Sequence, residues 1–441
     1  MLHASQSTTI YLYIWVQLFK RLSIDYHSQI SDSVSMSQDS SENKMEMLKR
    51  ITELIEMTDD IANYCGHNEG AGQKRSNVRM ASTNSDEIPE FISPYPVRVH
   101  PSEAEACKAI RDWLLHHSVD KEFHPDKFTK LLLCPEFAAR IFPDSSAKGL
   151  ELFSKFLMVS YLVDEIMDDT KLERSWEVSV SLALDIDKVI ISTIPSVQSL
   201  TESLHTSFET DRRETIQTYF RDEVYNVKHS QINTCNVYAE KISAVGSCFS
   251  DSWRAIVESM HPDSCLRLAR YYQKFLISSL IQIQNRENGV IPSLDEYIPM
   301  RRDACAYACC FMFMDLTDGV FLPEDIFNSP QMQRMVNIFL NIMSWCNDLW
   351  SFKKECLVNG DVHNLVFLIS HYLPCSFQRA AWLVTELLHT ECSKFEDVAE
   401  ELLKGTNAME EHLHAICSYI EGCRRCISAT YAWQKRSLLY I

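Results

Sequence analysis

Glycine is scarce in this chain. Its 441 residues include 10, and three of those fall in one stretch near the N-terminus, "GHNEGAG". So little glycine disfavours turn-rich β architectures. Neither a GxGxxG nor a Walker-type loop is present, so a phosphate-bearing ligand would have to be held in another way. Basic charge is also short. Against 60 Asp and Glu stand 42 Lys and Arg, giving a formal net charge of −18. That balance argues against a nucleic-acid partner but leaves room for a small anion held through metal ions. Long apolar runs are missing too. The strongest N-terminal one, "IYLYIWVQLF" (10–19), is far short of the roughly 20 residues that span a bilayer. Lys20 and Arg21 follow it rather than precede it, which disfavours a signal peptide. The expectation is a cytoplasmic protein with no stable membrane insertion.

Cysteine, by contrast, is plentiful: 16 residues scattered from Cys65 to Cys426. Most sit in apolar, helix-like stretches, and their dispersion reads as reduced, buried thiols rather than a disulfide framework. Cys305, Cys309 and Cys310, and the CxxC of Cys423 and Cys426, lack the second pair that a zinc site needs.

Residues 1–90 differ from the rest. A Ser-rich stretch, "HSQISDSVSMSQDSSENK", reads as disordered. Residues 45–64 carry apolar positions at helical spacing and suggest one amphipathic helix. From about 91 to 441 the pattern is helical, punctuated by Pro with a polar cap at "HPSEAE", "FHPDKF", "MHPDSC", "IPSLDE" and "LPEDIFNSPQ". No alternating β run competes. The reading is one all-α domain over 91–441 behind a largely disordered extension, with no internal repeat.

Three stretches could carry chemistry. In "NDLWSFKKE" (347–355), Asn347, Ser351 and Glu355 recur every four residues. On an α-helix this puts an amide, a hydroxyl and a carboxylate on one face over about 12 Å, directly after the apolar run "IFLNIMSWC". Oxygen donors of this kind suit Mg²⁺ when a diphosphate and water complete the octahedron. Lys353 and Lys354 lie beside them. In "YLVDEIMDDT", Asp164 and Asp168 share a face, flanked by Glu165 and Asp169. Paired carboxylates on an apolar helix repel each other and lose hydration, a cost that shared cations relieve. Phe153, Phe156 and Ser160 continue that face inward. In "PSLDEYIPMRRDACAY", Arg301 and Arg302 end a short helix and could clamp phosphate. Acidic clusters such as "EMTDD" and "MDLTD" read as solvated surface.

With these residues in hand, the chain resembles the class I terpene synthases, particularly microbial and fungal sesquiterpene cyclases. "DEIMD" resembles their aspartate-rich motif and "NDLWSFKKE" their Asn/Ser/Glu metal motif. "GDVHNLV" is familiar in fungal members, and "PSLDEYIPMRR" resembles the segment with their diphosphate-sensing Arg, here Arg301 with Arg302 beside it. The resemblance spans about 91–441. It implies a helical domain with a central apolar cavity and three Mg²⁺ ions held by Asp164, Asp168, Asn347, Ser351 and Glu355. Arg301, Arg302, Lys354 and Tyr440 would bind the diphosphate, and Phe153, Phe156 and Trp433 would line the cavity. The implied reaction is ionisation of a prenyl diphosphate, farnesyl diphosphate for preference, and cyclisation to a sesquiterpene. Alternatives are a chain-elongating prenyltransferase, which would use a second aspartate-rich motif, and a non-catalytic helical binding protein.

The chain also departs from the family. Leu439 stands where an Arg–Tyr pair has its Arg, with Arg436 one turn earlier. "RRDACAY" has no Gly after the sensor, where the family breaks a helix. The interval from Asp168 to Arg301 looks lengthened by an insertion within 193–217.

Overall fold

A computed structural model describes residues 91–168, 175–197, 236–373, 375–404 and 412–436. All of these lie in one compact unit, Asn84–Ile441. The expected extension over 1–90, its helix at 45–64, most of the presumed insertion, and Leu439 and Tyr440 fall outside the described residues. No β-strand occurs among the described residues, as the sequence pattern requires.

The helices, in chain order, are α1 (Glu103–His116), α2 (Val119–Glu122), α3 (Pro125–Leu131), α4 (Cys134–Ile141), α5 (Ala147–Met167), α6 (Ser175–Thr193), α7 (Asn236–Val257) and α8 (Pro262–Asn288). Then come α9 (Leu294–Ala304), α10 (Tyr307–Asp318), α11 (Glu324–Phe327), α12 (Pro330–Phe352), a π-helix (Lys353–Val358), α13 (Leu365–Tyr372), α14 (Phe377–Lys404) and α15 (Leu413–Arg436).

Local chemistry sets the starts. In the two His-Pro-Asp segments, the imidazoles of His124 and His261 accept from the backbone N–H groups of Asp126 and Asp263, each at 3.3 Å, and Pro fills the first helical position. Ser146 Oγ accepts from Gly149 N at 3.0 Å to open α5. Ser293 and Glu296 form a reciprocal capping box at α9. These devices satisfy N–H groups that have no partner inside the helix. Ser102, the expected cap of α1, makes no side-chain cap bond; its own N–H donates to His100 Nδ1 at 2.9 Å instead.

Helix α5 is apolar on nearly every side, and most of its residues are buried. Such a helix belongs in the middle of a helical domain. It packs against α4, α7 and α1, while α12 packs against α14 and α15. Helix α8 runs beside α5: Tyr272 stacks edge-on against Phe156, with ring centroids 5.2 Å apart, and further along Arg286 reaches Asp168. The two helices therefore run in the same direction and bring their C-terminal ends to one rim. Gly289, left-handed at φ +64°, ends α8 just past Arg286.

The break between α9 and α10 is present without a glycine. Ala306 takes up the left-handed conformation there, at φ 54° and ψ 1°, a region costing an L-residue roughly 1–2 kcal/mol. Ala306→Gly is therefore expected to stabilise the fold by about 1 kcal/mol, read as a raised urea midpoint with an unchanged slope. A lowered midpoint would show that the methyl group is needed where it is.

Candidate active site

Helices α5 and α8, the α9–α10 break, α12 and the π-helix line one open-mouthed cavity. Phe153, Phe156, Leu157, Phe275 and Tyr307 line its apolar part. Asp164, Asp168, Arg301, Asn347, Glu355 and Asp361 line the remainder. The two expected motifs thus face one another across a single cavity.

The far wall is anchored by a residue the sequence reading left without a role. Asp348 is fully buried. Its carboxylate accepts from Arg301 Nε at 2.8 Å, from Leu365 N at 3.0 Å and from the Tyr297 hydroxyl. Arg301 also donates to Asn347 Oδ1 at 2.7 Å. Asn364 Nδ2 reaches the Asp348 carbonyl at 2.8 Å and Glu355 Oε2 at 3.2 Å. Asp348 therefore fixes the guanidinium that faces the cavity, and the "GDVHNLV" segment folds back to fix Asp348.

Asn347, Ser351 and Glu355 do not continue one α-helix. The α-helix ends at Phe352 and a π-helix takes over through Glu355, with Asn359 N donating to Lys354 O, five residues back, at 3.0 Å. A π-turn winds more residues per turn, so Glu355 is rotated from the position that strict α geometry would give it; such turns recur at functional sites.

The opposite wall has its own cation. Arg286 donates to Asp361 Oδ2 at 2.6 Å, to Asp168 Oδ1 at 3.2 Å and to the Met167 carbonyl at 2.9 Å. His363 braces Asp361 through backbone and ring nitrogens, both at 2.8 Å. Asp361 is held well below the usual carboxylate range: burial opposes this, but the His363 hydrogen bonds and the Arg286 charge outweigh it. Nothing in the local sequence pattern singles out Arg286, Asp361 or His363 by itself. The only signal was "GDVHNLV", whose role comes from contacts 75 to 78 residues away in sequence.

Other expected residues separate. Arg302 does not line the cavity; its Nε donates to Asn341 Oδ1 at 2.7 Å on the side toward Glu391. The reason is helical: adjacent residues point about 100° apart, so Arg301 and Arg302 cannot share a target. Trp433 is buried against Phe137, with centroids 4.8 Å apart, and donates to the Leu133 carbonyl at 3.2 Å. It is core, not cavity wall. Lys354 is exposed, yet its charge still favours ionised Asp164 and Asp168. The fourteen described cysteines are all free, and no cluster of three or more His, Cys, Asp or Glu that could hold a metal occurs among the described residues.

The donor set nonetheless fits a hard cation shared with an anionic ligand. Ser351 Oγ is buried without a hydrogen bond of full geometry, although its nearness to Glu355 favours that carboxylate's charge. Burial pushes Asp164 well above its ordinary value, with Asp168 and Glu165 adding like-charge repulsion. Burial raises Glu355 to about 7, with Arg301 opposing and Asp348 and Asp168 adding to the rise. These are oxygen groups short of positive charge.

A stability consequence follows. Glu355 binds its proton more tightly in the folded than in the unfolded chain, so its contribution is fully present below pH about 4.5 and is lost as pH rises through about 7. The metal-free protein should lose thermal stability across that window. The loss should be smaller in Glu355→Gln and should be reversed by Mg²⁺ with inorganic diphosphate. A metal-free melting temperature that rises from pH 5 to 7.5 would contradict this.

A family model described as "Terpene synthase family 2, C-terminal metal binding" matches residues 196–394, a span that includes Arg301 and Asn347 to Glu355 but begins after Asp168. The chain is 26% identical over 387 residues to an alpha-gurjunene synthase of Marchantia polymorpha, covering 83% of this chain and 88% of that one. It is 21% identical over 355 residues to an alpha-muurolene synthase of Coprinopsis cinerea, covering 80% and 73%. Its fold is similar to that of germacradien-4-ol synthase from Streptomyces citricolor, with a TM-score of 0.59 at 17% identity over 79% of this chain and 98% of that one. Over residues 196–394 the chain matches the terpene synthase family model, and its relatives at 21–26% identity are terpene synthases, which supports the class I terpene synthase family. These relatives are enzymes of the terpene synthase/cyclase class, and the matched model is described as a metal-binding one. No helix among the described residues is long and apolar enough to cross a membrane.

Proposed function

We propose that this chain is a sesquiterpene synthase that ionises farnesyl diphosphate and cyclises the resulting cation, releasing diphosphate. The observation that carries the reading is the two-layered cavity: aromatic rings at Phe153, Phe156, Phe275 and Tyr307, and a charged rim at Asp164, Asp168, Arg301, Asn347 and Glu355. Residues 91–441 form the catalytic domain and 1–90 an appended extension.

Asp164, Asp168, Asn347, Ser351 and Glu355 would hold Mg²⁺, three ions by family likeness. Bound there, Mg²⁺ supplies Lewis-acid neutralisation of the departing diphosphate. Arg301 adds a fixed positive charge on the same leaving group, held in register by Asp348. Phe153 and Phe156 offer ring faces to a hydrocarbon cation, and the apolar wall keeps water from it. Engagement of the ligand requires Arg301 to exchange its bond to Asn347 and Arg286 its bond to Asp168, since both oxygens are held by guanidinium groups.

The test is gas chromatography–mass spectrometry of products from geranyl, farnesyl and geranylgeranyl diphosphate with Mg²⁺. Volatile cyclic C15 hydrocarbon or alcohol from farnesyl diphosphate is the expected result. Longer diphosphates formed on adding isopentenyl diphosphate would instead make the chain a prenyltransferase, and no turnover of any substrate would make it a binding protein.

A further inference from the structure

We propose that Gln282 is a further diphosphate-binding residue, donating from its side-chain amide to an oxygen of the leaving group. The proposal rests on the diphosphate-ionising reading and deepens it.

Gln282 lines the cavity and is only 8% exposed. Its Nε2 is buried and has no hydrogen-bond partner. A buried amide N–H without an acceptor is costly, and in a native fold it calls for an explanation. Neighbours on α8 fix its height. Phe275 lies two turns earlier on the same face and lines the apolar part. Arg286 lies one turn later and meets Asp168. Because α8 runs alongside α5 in the same direction, Gln282 falls level with Asp164, in the charged rim rather than among the aromatic rings.

Three other donors at the rim are occupied. Arg301 is bonded to Asp348 and Asn347, Arg286 to Asp361 and Asp168, and Asn364 to Glu355 and the Asp348 carbonyl. The Gln282 amide has no such internal partner to give up. A neutral donor also places no further cation beside Asp164 to compete for its carboxylate. An anionic oxygen would give this N–H a charge-assisted bond, the stronger kind.

The experiment is calorimetric titration of the full chain with inorganic diphosphate in Mg²⁺, for the wild type and for Gln282→Leu, with Gln282→Met as a second apolar variant of similar length. Both variants should bind inorganic diphosphate about tenfold or more weakly. Their melting temperatures should be unchanged or raised, because an unpartnered polar group has been removed. With farnesyl diphosphate, KM should rise more than kcat falls. Wild-type binding matched within twofold by both variants would overturn the proposal and leave the terpene synthase reading intact. So would melting temperatures lowered by several degrees in both, which would make Gln282 a structural residue. Failure of the wild type itself to bind inorganic diphosphate with Mg²⁺ would remove the diphosphate reading and this proposal together.

Discussion

Asp348→Ala is expected to destabilise the fold by about 3–5 kcal/mol, the range for stripping one partner from a buried ion pair. The loss would leave Arg301 charged and uncompensated inside the domain, and would orphan the Leu365 N–H and the Tyr297 hydroxyl in the same step. Urea denaturation measures it directly. Asp348→Asn, which keeps an acceptor but not the charge, should fall between the two. A change below about 1 kcal/mol for the alanine variant would mean that Arg301 finds another anchor, and Asp348 would lose its place at the centre of the wall. Turnover should disappear in the alanine variant even at temperatures where it remains folded, since a guanidinium free to swing is no longer aimed at the cavity.

Asn347→Ala and Glu355→Ala make the complementary pair, because they should abolish activity while sparing the fold. Arg301 keeps its bonds to Asp348 when Asn347 is truncated, and Asn364 keeps the Asp348 carbonyl when Glu355 is removed. Removing one fixed group that stabilises developing charge typically costs about 10²–10³-fold in rate, and loss of a cation ligand should reach at least that. The measurement is Mg²⁺-dependent product formation from farnesyl diphosphate beside a thermal melt. Wild-type-like rates in either variant would refute the assignment of that residue as a metal ligand. A melt lowered by many degrees would shift the residue to the structural column with Asp348.

Much of the fold was legible because the signals were local. Pro-flanked caps at His124, His261 and Ser293 announce helix starts through bonds between residues two or three apart. The apolar stretch over α5 requires burial whatever surrounds it. The helix break after Arg301 was harder to read, since no glycine marks it. Ala306 is held left-handed there by the packing around it, a cost that only the folded chain can meet.

The sequence by itself determined which residue types were available at the rim, because four-residue spacing on a helix fixes a shared face: Asp164 with Asp168, and Asn347 with Ser351. It could not determine where that spacing stops being helical, and the π-turn at Lys353 re-aims Glu355. Nor could it separate Arg301, anchored on Asp348 and facing the cavity, from Arg302, turned to Asn341. Those choices, like the meeting of Arg286 with Asp168 and Asp361, are made between residues far apart in the chain. Periodicity records the face of one helix; which face meets which is decided only when the helices pack.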